Sequence, residues 1–162
     1  MRRGEHTVSV DEQPHKANLE KIPQLRPAFA EGGTITPANS SSISDGASAL
    51  LLASEDAAAN HGLMPRARIV AHTRNSLAPE DFTLAPIGAA ERVLAKAGWS
   101  ASDVDLWEIN EAFAMVTMLT TRALDLDPAC VNVHGGACAQ GHPIGSTGSR
   151  IIVTLMHALE HY

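Results

Sequence analysis

The sequence predicts an α/β fold, a mainly parallel sheet with helices on both faces. Three observations carry that prediction. Short apolar runs alternate with segments of helical spacing, in the order β-α-β-α-β-α-β-α. The helical segments have recognisable start and stop residues at their ends. The composition, 44% hydrophobic and 19% charged, is that of a chain that buries a core rather than one that stays disordered.

The elements follow in order. The first 45 residues read as irregular, because Pro14, Pro23, Pro27 and Pro37, the Gly32-Gly33 pair and an Asn-Ser-Ser-Ser cluster at 39–42 punctuate each apolar stretch. So long an opening loop is uncommon in a compact domain and reads like the tail of something that begins elsewhere. Residues 47–53, a continuous apolar run after Asp45 and Gly46, suit a buried strand. Ser54 is placed to cap a helix with Glu55 and Asp56 in its first turn, and Gly62 to end it. Residues 68–71 form a second strand candidate. Ile87, Ala90, Leu94 and Ala97 share one helical face before a stop at Gly98. A third strand at 104–109 runs into Asn110 and Glu111, a helix follows at 115–124, and 131–133 is a short fourth strand. The last helix, at 149–159, presents Ile151, Ile152, Leu155, Met156 and Leu159 as its buried stripe. Only 4% of residues are aromatic, so small side chains, Ala above all, must fill much of the core.

Charge and cysteine usage exclude several classes. Twelve basic against eighteen acidic residues give a net charge of −6, which argues against a nucleic-acid or anionic-membrane surface. No apolar run approaches the roughly 18 residues of a membrane span. Two cysteines do not make a disulfide framework, so a reducing compartment is expected. The opening Met1-Arg2-Arg3-Gly4-Glu5 lacks the apolar stretch of a secretory signal, and Glu5, Asp11 and Glu12 argue against a mitochondrial presequence. A cytoplasmic protein is expected.

In parallel α/β sheets, sites form beyond the carboxyl ends of strands. Two polar segments stand there, Asn110-Glu111-Ala112-Phe113 and the glycine-rich loop from His134 to Gly145. His134, Cys138 and His142 recur every four residues and would share one face of a helix as zinc ligands. Gly135, Gly136, Gly141 and Pro143 oppose such a helix and no fourth ligand is near, so no metal site is expected. Cys138 and His142 form a conceivable nucleophile–base pair, although a small buried Cys beside a loop His is the plainer reading; Cys130 is a weaker candidate. Residues 141–148 open a helix as phosphate loops do, but lack the Lys of a P-loop and the spacing of a dinucleotide fingerprint. The glycines and Pro143 instead hold His142 in one pose.

The stretches Asn110-Glu111-Ala112-Phe113-Ala114 and Asn132-Val133-His134-Gly135-Gly136-Ala137, leading to Gly141-His142-Pro143-Ile144-Gly145, resemble the thiolase family, acetyl-CoA acetyltransferases in particular. Leu25-Arg26-Pro27-Ala28-Phe29 and the stretch from Gly33 to Ala47 resemble the family's approach to its pantetheine loop. The resemblance implies a thiolase-like α/β fold, incomplete at both ends, with residues 1–62 as the end of the N-terminal domain and 63–162 as the C-terminal domain without its last strands.

The same resemblance implies function. Thiolases cleave or join acyl chains through a covalent acyl-cysteine, with coenzyme A and acyl-CoA as substrates and no further cofactor. It gives His142 the activation of the nucleophilic cysteine and a place in an oxyanion hole, and gives Asn110 the orientation of a water that completes that hole. Ser41, Ala112 and Phe113 match positions lining the pantetheine arm; Phe113 is equally well read as a core aromatic. The family's nucleophilic cysteine segment and its CxGGG-type turn are not among these residues. Cys138 stands where the family usually has an aliphatic residue, His134 where it has Asn, and Ser44 where it has the Asn of Asn-Asp-Gly. The isolated chain is therefore expected to be inactive, and the family's homo-oligomers make oligomerisation an expectation. The rival expectation is a non-catalytic acyl-CoA-binding or dimerisation module derived from a thiolase.

Overall fold

The computed structural model describes residues 7–162. Residues 1–6, and with them the reading of the charged N-terminus, lie outside the described residues. Two compact units are formed, Met1–Ala38 and Asn39–Tyr162.

The first unit is not wholly irregular. Asp11 caps a short helix, α1 (Glu12–Lys16), by accepting from Gln13 N at 2.9 Å. Asn18 similarly caps a 3₁₀ turn, Leu19–Gln24. Gly32, at φ +71°, supplies the left-handed turn that returns the chain so that Ala28 N–H donates to Ile35 O at 2.8 Å.

The first α-helix of the second unit is α2 (Glu55–Asn60). Ser54 accepts from Ala57 N at 3.2 Å, Glu55 and Asp56 occupy the first turn, and Gly62 follows at φ +62°. The helix α3 (Ala85–Ala97) starts with Pro86 in its first turn and stops at Gly98, φ +72°, whose N–H and that of Trp99 close on Ala95 O and Leu94 O. The face carrying Ile87, Ala90, Leu94 and Ala97 is half-buried. Segment 72–75 is laced along this helix, with Thr73 Oγ1 donating to Ala89 O and Asn75 Nδ2 to Ala85 O, both at 3.0 Å. The helices α4 (Ala114–Ala123), α5 (Ala137–Gln140) and α6 (Thr147–His161) complete the order.

The strand expectations need correction. Among the described residues there is no continuous ladder, only isolated bridges: Ile43 with His142 and Trp107 with Val131 in parallel, and Ser40 with Phe113 antiparallel. Residues 47–53 and 68–71 carry no regular secondary structure and are largely exposed; Leu51 is 82% and Ile69 64% accessible. An apolar run becomes a buried strand only when neighbouring strands cover it, and none among the described residues does so here.

The stripe on α6 is also displaced. Ile152 and Leu159 are exposed, whereas Ala158 and Thr147 are buried. The buried side chains of this unit are small or branched: Ala58, Ile109, Val116, Thr120, Ala137, Thr147 and Ala158. Thr120 satisfies its buried hydroxyl by donating to Val116 O one turn back, at 2.9 Å. No helix among the described residues is long and apolar enough to cross a membrane.

Candidate active site

Two neighbouring segments build the site. Trp107 N–H donates to Cys130 O and Asn132 N–H to Trp107 O, both at 2.8 Å, a short parallel pairing. The fourth strand expected at 131–133 ends at once, because Asn132 turns left-handed at φ +49°. Asn tolerates that conformation, and its side chain continues the pairing that the backbone abandons. Asn132 Oδ1 accepts from Ile109 N at 2.8 Å and Nδ2 donates to Ile109 O at 2.9 Å. Asn110 is thereby delivered from the end of an anchored segment.

Glu111 ties down the facing loop. Its carboxylate accepts from Cys138 N at 3.1 Å and from Asn132 Nδ2 at 3.3 Å. Gly136 lies so close beneath it that a Cβ there would come 2.2 Å from Glu111 Cδ. The loop then makes the single turn α5 and leaves through Gly141, φ +91°, where a Cβ would fall 2.3 Å from Ser44 Oγ. His142 N–H donates to Ser42 O at 2.9 Å, and Pro143 packs against Gly46. Beyond them, Ser48 Oγ lies 2.8 Å from Ser146 Oγ and 2.6 Å from Ser149 Oγ.

The structure brings Asn110 and His142 together. Asn110 Nδ2 lies 3.4 Å from His142 Nε2, and His142 Nδ1 lies 2.8 Å from Thr147 Oγ1. Asn110 Oδ1 is buried and has no protein partner. Asn110 also lines a cleft of about 320 Å³ with Phe82, Trp107, Glu108, Ile109 and Ala112. Burial pushes the Glu108 carboxyl upward, with Arg150 opposing and Glu111 reinforcing that shift.

Ser41, Ala112 and Phe113 also meet. Ser41 donates to Ala112 O from its N–H at 3.2 Å and from its hydroxyl at 3.1 Å, beside the Ser40–Phe113 bridge. Phe113 packs at a tilt on Phe82, with ring centroids 6.0 Å apart. The three residues singled out as zinc ligands turn to different neighbours: the His134 ring to Tyr162, Cys138 to Glu111, and His142 to Asn110 and Thr147. Cys138 Sγ faces Glu111 O at 3.9 Å. Burial first, then the Glu111 charge and hydrogen bond, push its thiol up to about 11.

Sequence reasoning gave no role to Thr147, Asn132 or the Glu111 side chain. The signals were present: a Thr five residues after His142 in the first turn of a helix, an Asn inside an apolar strand just ahead of paired glycines, and a carboxylate opposite those glycines.

Comparison with known proteins agrees across nearly the whole chain. The family model of the thiolase C-terminal domain matches residues 63–162, and that of the thiolase N-terminal domain residues 1–56. A "Probable acetyl-CoA acetyltransferase" of Dictyostelium discoideum is 50% identical over 154 residues, 95% of this chain and 37% of that protein. The "Acetyl-CoA acetyltransferase, cytosolic" of Mus musculus is 47% identical over 162 residues, 98% of this chain and 41% of its own length. Among solved structures, the Bacillus anthracis acetyl-CoA acetyltransferase superposes with a TM-score of 0.89 at 42% identity, covering 99% of this chain and 41% of that one. The Acat5 thiolase from Ascaris suum, solved in complex with coenzyme A, gives 0.84 at 39% identity, covering 93% and 40%. The chain thus spans about two-fifths of the length of the curated relatives it matches. With one family model on each part of the sequence and a thiolase-like fold beneath them, the chain belongs to the thiolase family.

Proposed function

We propose that the chain carries the His142–Asn110 portion of an acetyl-CoA C-acetyltransferase site, acting on acyl-CoA thioesters by thiolytic cleavage or Claisen condensation. The observation that carries this reading is the approach of Asn110 Nδ2 to His142 Nε2 at 3.4 Å from segments 32 positions apart. A base beside an amide, next to a cleft, is what activation of a thiol and stabilisation of a thioester oxyanion require.

In this reading a cysteine thiol supplied by the family's nucleophile segment gives its proton to His142 Nε2. The S–H bond breaks, its electron pair stays on sulfur, and an N–H bond forms. The thiolate attacks the thioester carbonyl, and the oxyanion is held by the new Nε2–H and by a water bound to Asn110. Expulsion of the coenzyme A thiolate, which takes the proton back from His142, leaves an acyl-cysteine. Ser41, Ala112 and Phe113 line the pantetheine arm. Coenzyme A and acyl-CoA are substrates, and no further cofactor enters.

In the family's arrangement, residues 1–62 belong to the N-terminal domain and 63–162 to the C-terminal one. The parallel sheet is completed by strands beyond the bridges described above, and the whole protein is a homo-oligomer. Cytosolic relatives in Mus musculus and Rattus norvegicus support a cytoplasmic location.

A second reading, a non-catalytic acyl-CoA-binding or dimerisation module, is favoured by one observation. The Cys138 thiol, raised to about 11 and turned toward Glu111, is no substitute nucleophile.

Intact mass after incubation with acetyl-CoA, with and without thiol blocking, tests the catalytic reading. No stoichiometric acetylation of the chain alone is expected. Addition of a cysteine-bearing thiolase segment is expected to produce acetyl transfer that is lost in His142→Ala; its continued absence would favour the module. Coenzyme A is expected to shift the resonances of Ser41, Ala112 and Phe113. Acetylation of Cys138 that depends on His142 would overturn both readings.

A further inference from the structure

We propose that Thr147 is a positioning residue that decides which ring nitrogen of His142 carries the proton, holding the imidazole as the Nδ1–H tautomer with the lone pair on Nε2. The inference rests on the reading of His142 as the base. It starts from the burial of Thr147, only 4% accessible, so its hydroxyl must find its partners within the protein. Two groups are in reach, Pro143 O at 3.0 Å and His142 Nδ1 at 2.8 Å.

A hydroxyl has one hydrogen to donate and lone pairs to accept with. A carbonyl accepts only. With the Thr147 hydrogen on Pro143 O, which also accepts from Ser146 N and Thr147 N at the start of α6, the bond to the ring is made by Nδ1–H donating to Oγ1. In a neutral imidazole the other nitrogen is then an acceptor. On the far side of the ring, the group facing Nε2 is the Asn110 Nδ2 amide, a donor, 3.4 Å away. Both neighbours thus favour the same tautomer.

The arrangement suits the chemistry proposed for His142. Only a lone pair on Nε2 can take a thiol proton, and once taken that proton lies on the nitrogen beside Asn110, where a thioester oxygen can receive a hydrogen bond. The opposite tautomer would direct the lone pair at Thr147, where it is useless as a base. Thr147 touches no substrate in this scheme and acts through the ring alone.

The test is the tautomer itself, read by long-range proton–nitrogen correlation on the full chain labelled with nitrogen-15 histidine, at a pH where the ring is neutral. The His142 signals are identified by their loss in His142→Gln. Wild type and Thr147→Ser, which keeps the hydroxyl, are expected to show Nδ1–H with a bare Nε2. Thr147→Val keeps the shape without the acceptor, and its ratio of Nδ1–H to Nε2–H form is expected to fall about fivefold to tenfold, as loss of one net hydrogen bond implies. Wild type in the Nε2–H form, or an unchanged tautomer in Thr147→Val, overturns the proposal. Should the valine variant not fold, the wild-type spectrum still decides between the two forms. No thioester enters the measurement, so failure here is separate from failure of acetyl transfer.

Discussion

Asn132 holds both main-chain groups of Ile109 with its side chain, accepting the N–H at 2.8 Å and donating to the carbonyl at 2.9 Å. A side-chain amide thereby does the work of the next peptide group in the strand. Ile109 is buried, so water cannot readily replace either bond. Asn132→Ala leaves both groups unpaired and places a Cβ-bearing residue at φ +49° without the local bonds that make Asn tolerable there. Denaturant unfolding is expected to show a loss of about 2–4 kcal/mol. Asn132→Gly, which removes the same bonds but accepts the backbone, should lose about 1 kcal/mol less. Equal losses would mean that the left-handed turn carries no strain.

Gly136 and Glu111 test the anchoring of the loop. A Cβ at 136 meets the Glu111 carboxylate, which is itself committed to Cys138 N and Asn132 Nδ2. Gly136→Ala is expected to cost about 1–3 kcal/mol through this overpacking. In a double-mutant cycle, much of that cost should vanish in the Glu111→Ala background. Strict additivity would show that the clash is relieved elsewhere.

Cys138 gives a pH prediction. With its thiol raised from 9.0 to about 11, first by burial and then by Glu111, roughly one part in a thousand is thiolate at pH 8. Its alkylation by iodoacetamide, followed by peptide mass analysis, should climb about tenfold per pH unit until about 11. Glu111→Gln should speed it. The linkage has a definite sign. The folded chain holds this proton more tightly than the unfolded one, so the stabilisation is whole below pH 9.0 and is lost as pH rises through that value toward about 11. Rapid alkylation at pH 7 would contradict the geometry around the sulfur.

The exposed apolar stretches predict self-association. Leu51, Leu52, Ile69 and Val70 lie on segments without helix or ladder and are all exposed. Unpaired backbone with apolar side chains is a template for pairing between chains. Sedimentation velocity is expected to show mass increasing with concentration, and Leu51→Lys combined with Val70→Lys to shift the distribution toward monomer. A single monomeric boundary in the wild type at every concentration would remove this expectation.

What the sequence disclosed depended on how local each cause was. The ends of α2 and α3 were legible because Ser54, Gly62 and Gly98 act within one turn of their own position. The pairing of Asn110 with His142 came through the motif resemblance, and their approach is visible in the fold. Burial was less legible. The run at 47–53 has the side chains of a covered strand, but its covering is not encoded in the run, and Leu51 and Leu52 stand in solvent. The stripe drawn on α6 by periodicity chose Ile152 and Leu159 over Ala158, because packing selected the residue small enough for close approach. Thr147 and Asn132 escaped notice since each matters through a single bond geometry that spacing alone does not reveal.

The interlocked contacts of the His142 loop bear on how this protein can change over generations. Gly141 abuts the Ser44 hydroxyl and Gly46 abuts the Pro143 ring, so each member of a pair fills the space that its partner's missing side chain provides. A lineage cannot enlarge either glycine by itself without displacing a neighbour that leads directly to His142. Ser44 or Pro143 would have to shrink first, and Gly141, left-handed at φ +91°, would resist even then. Inherited variation here is therefore ordered: the neighbour yields before the glycine does, and intermediates taken in the other order are the ones purged.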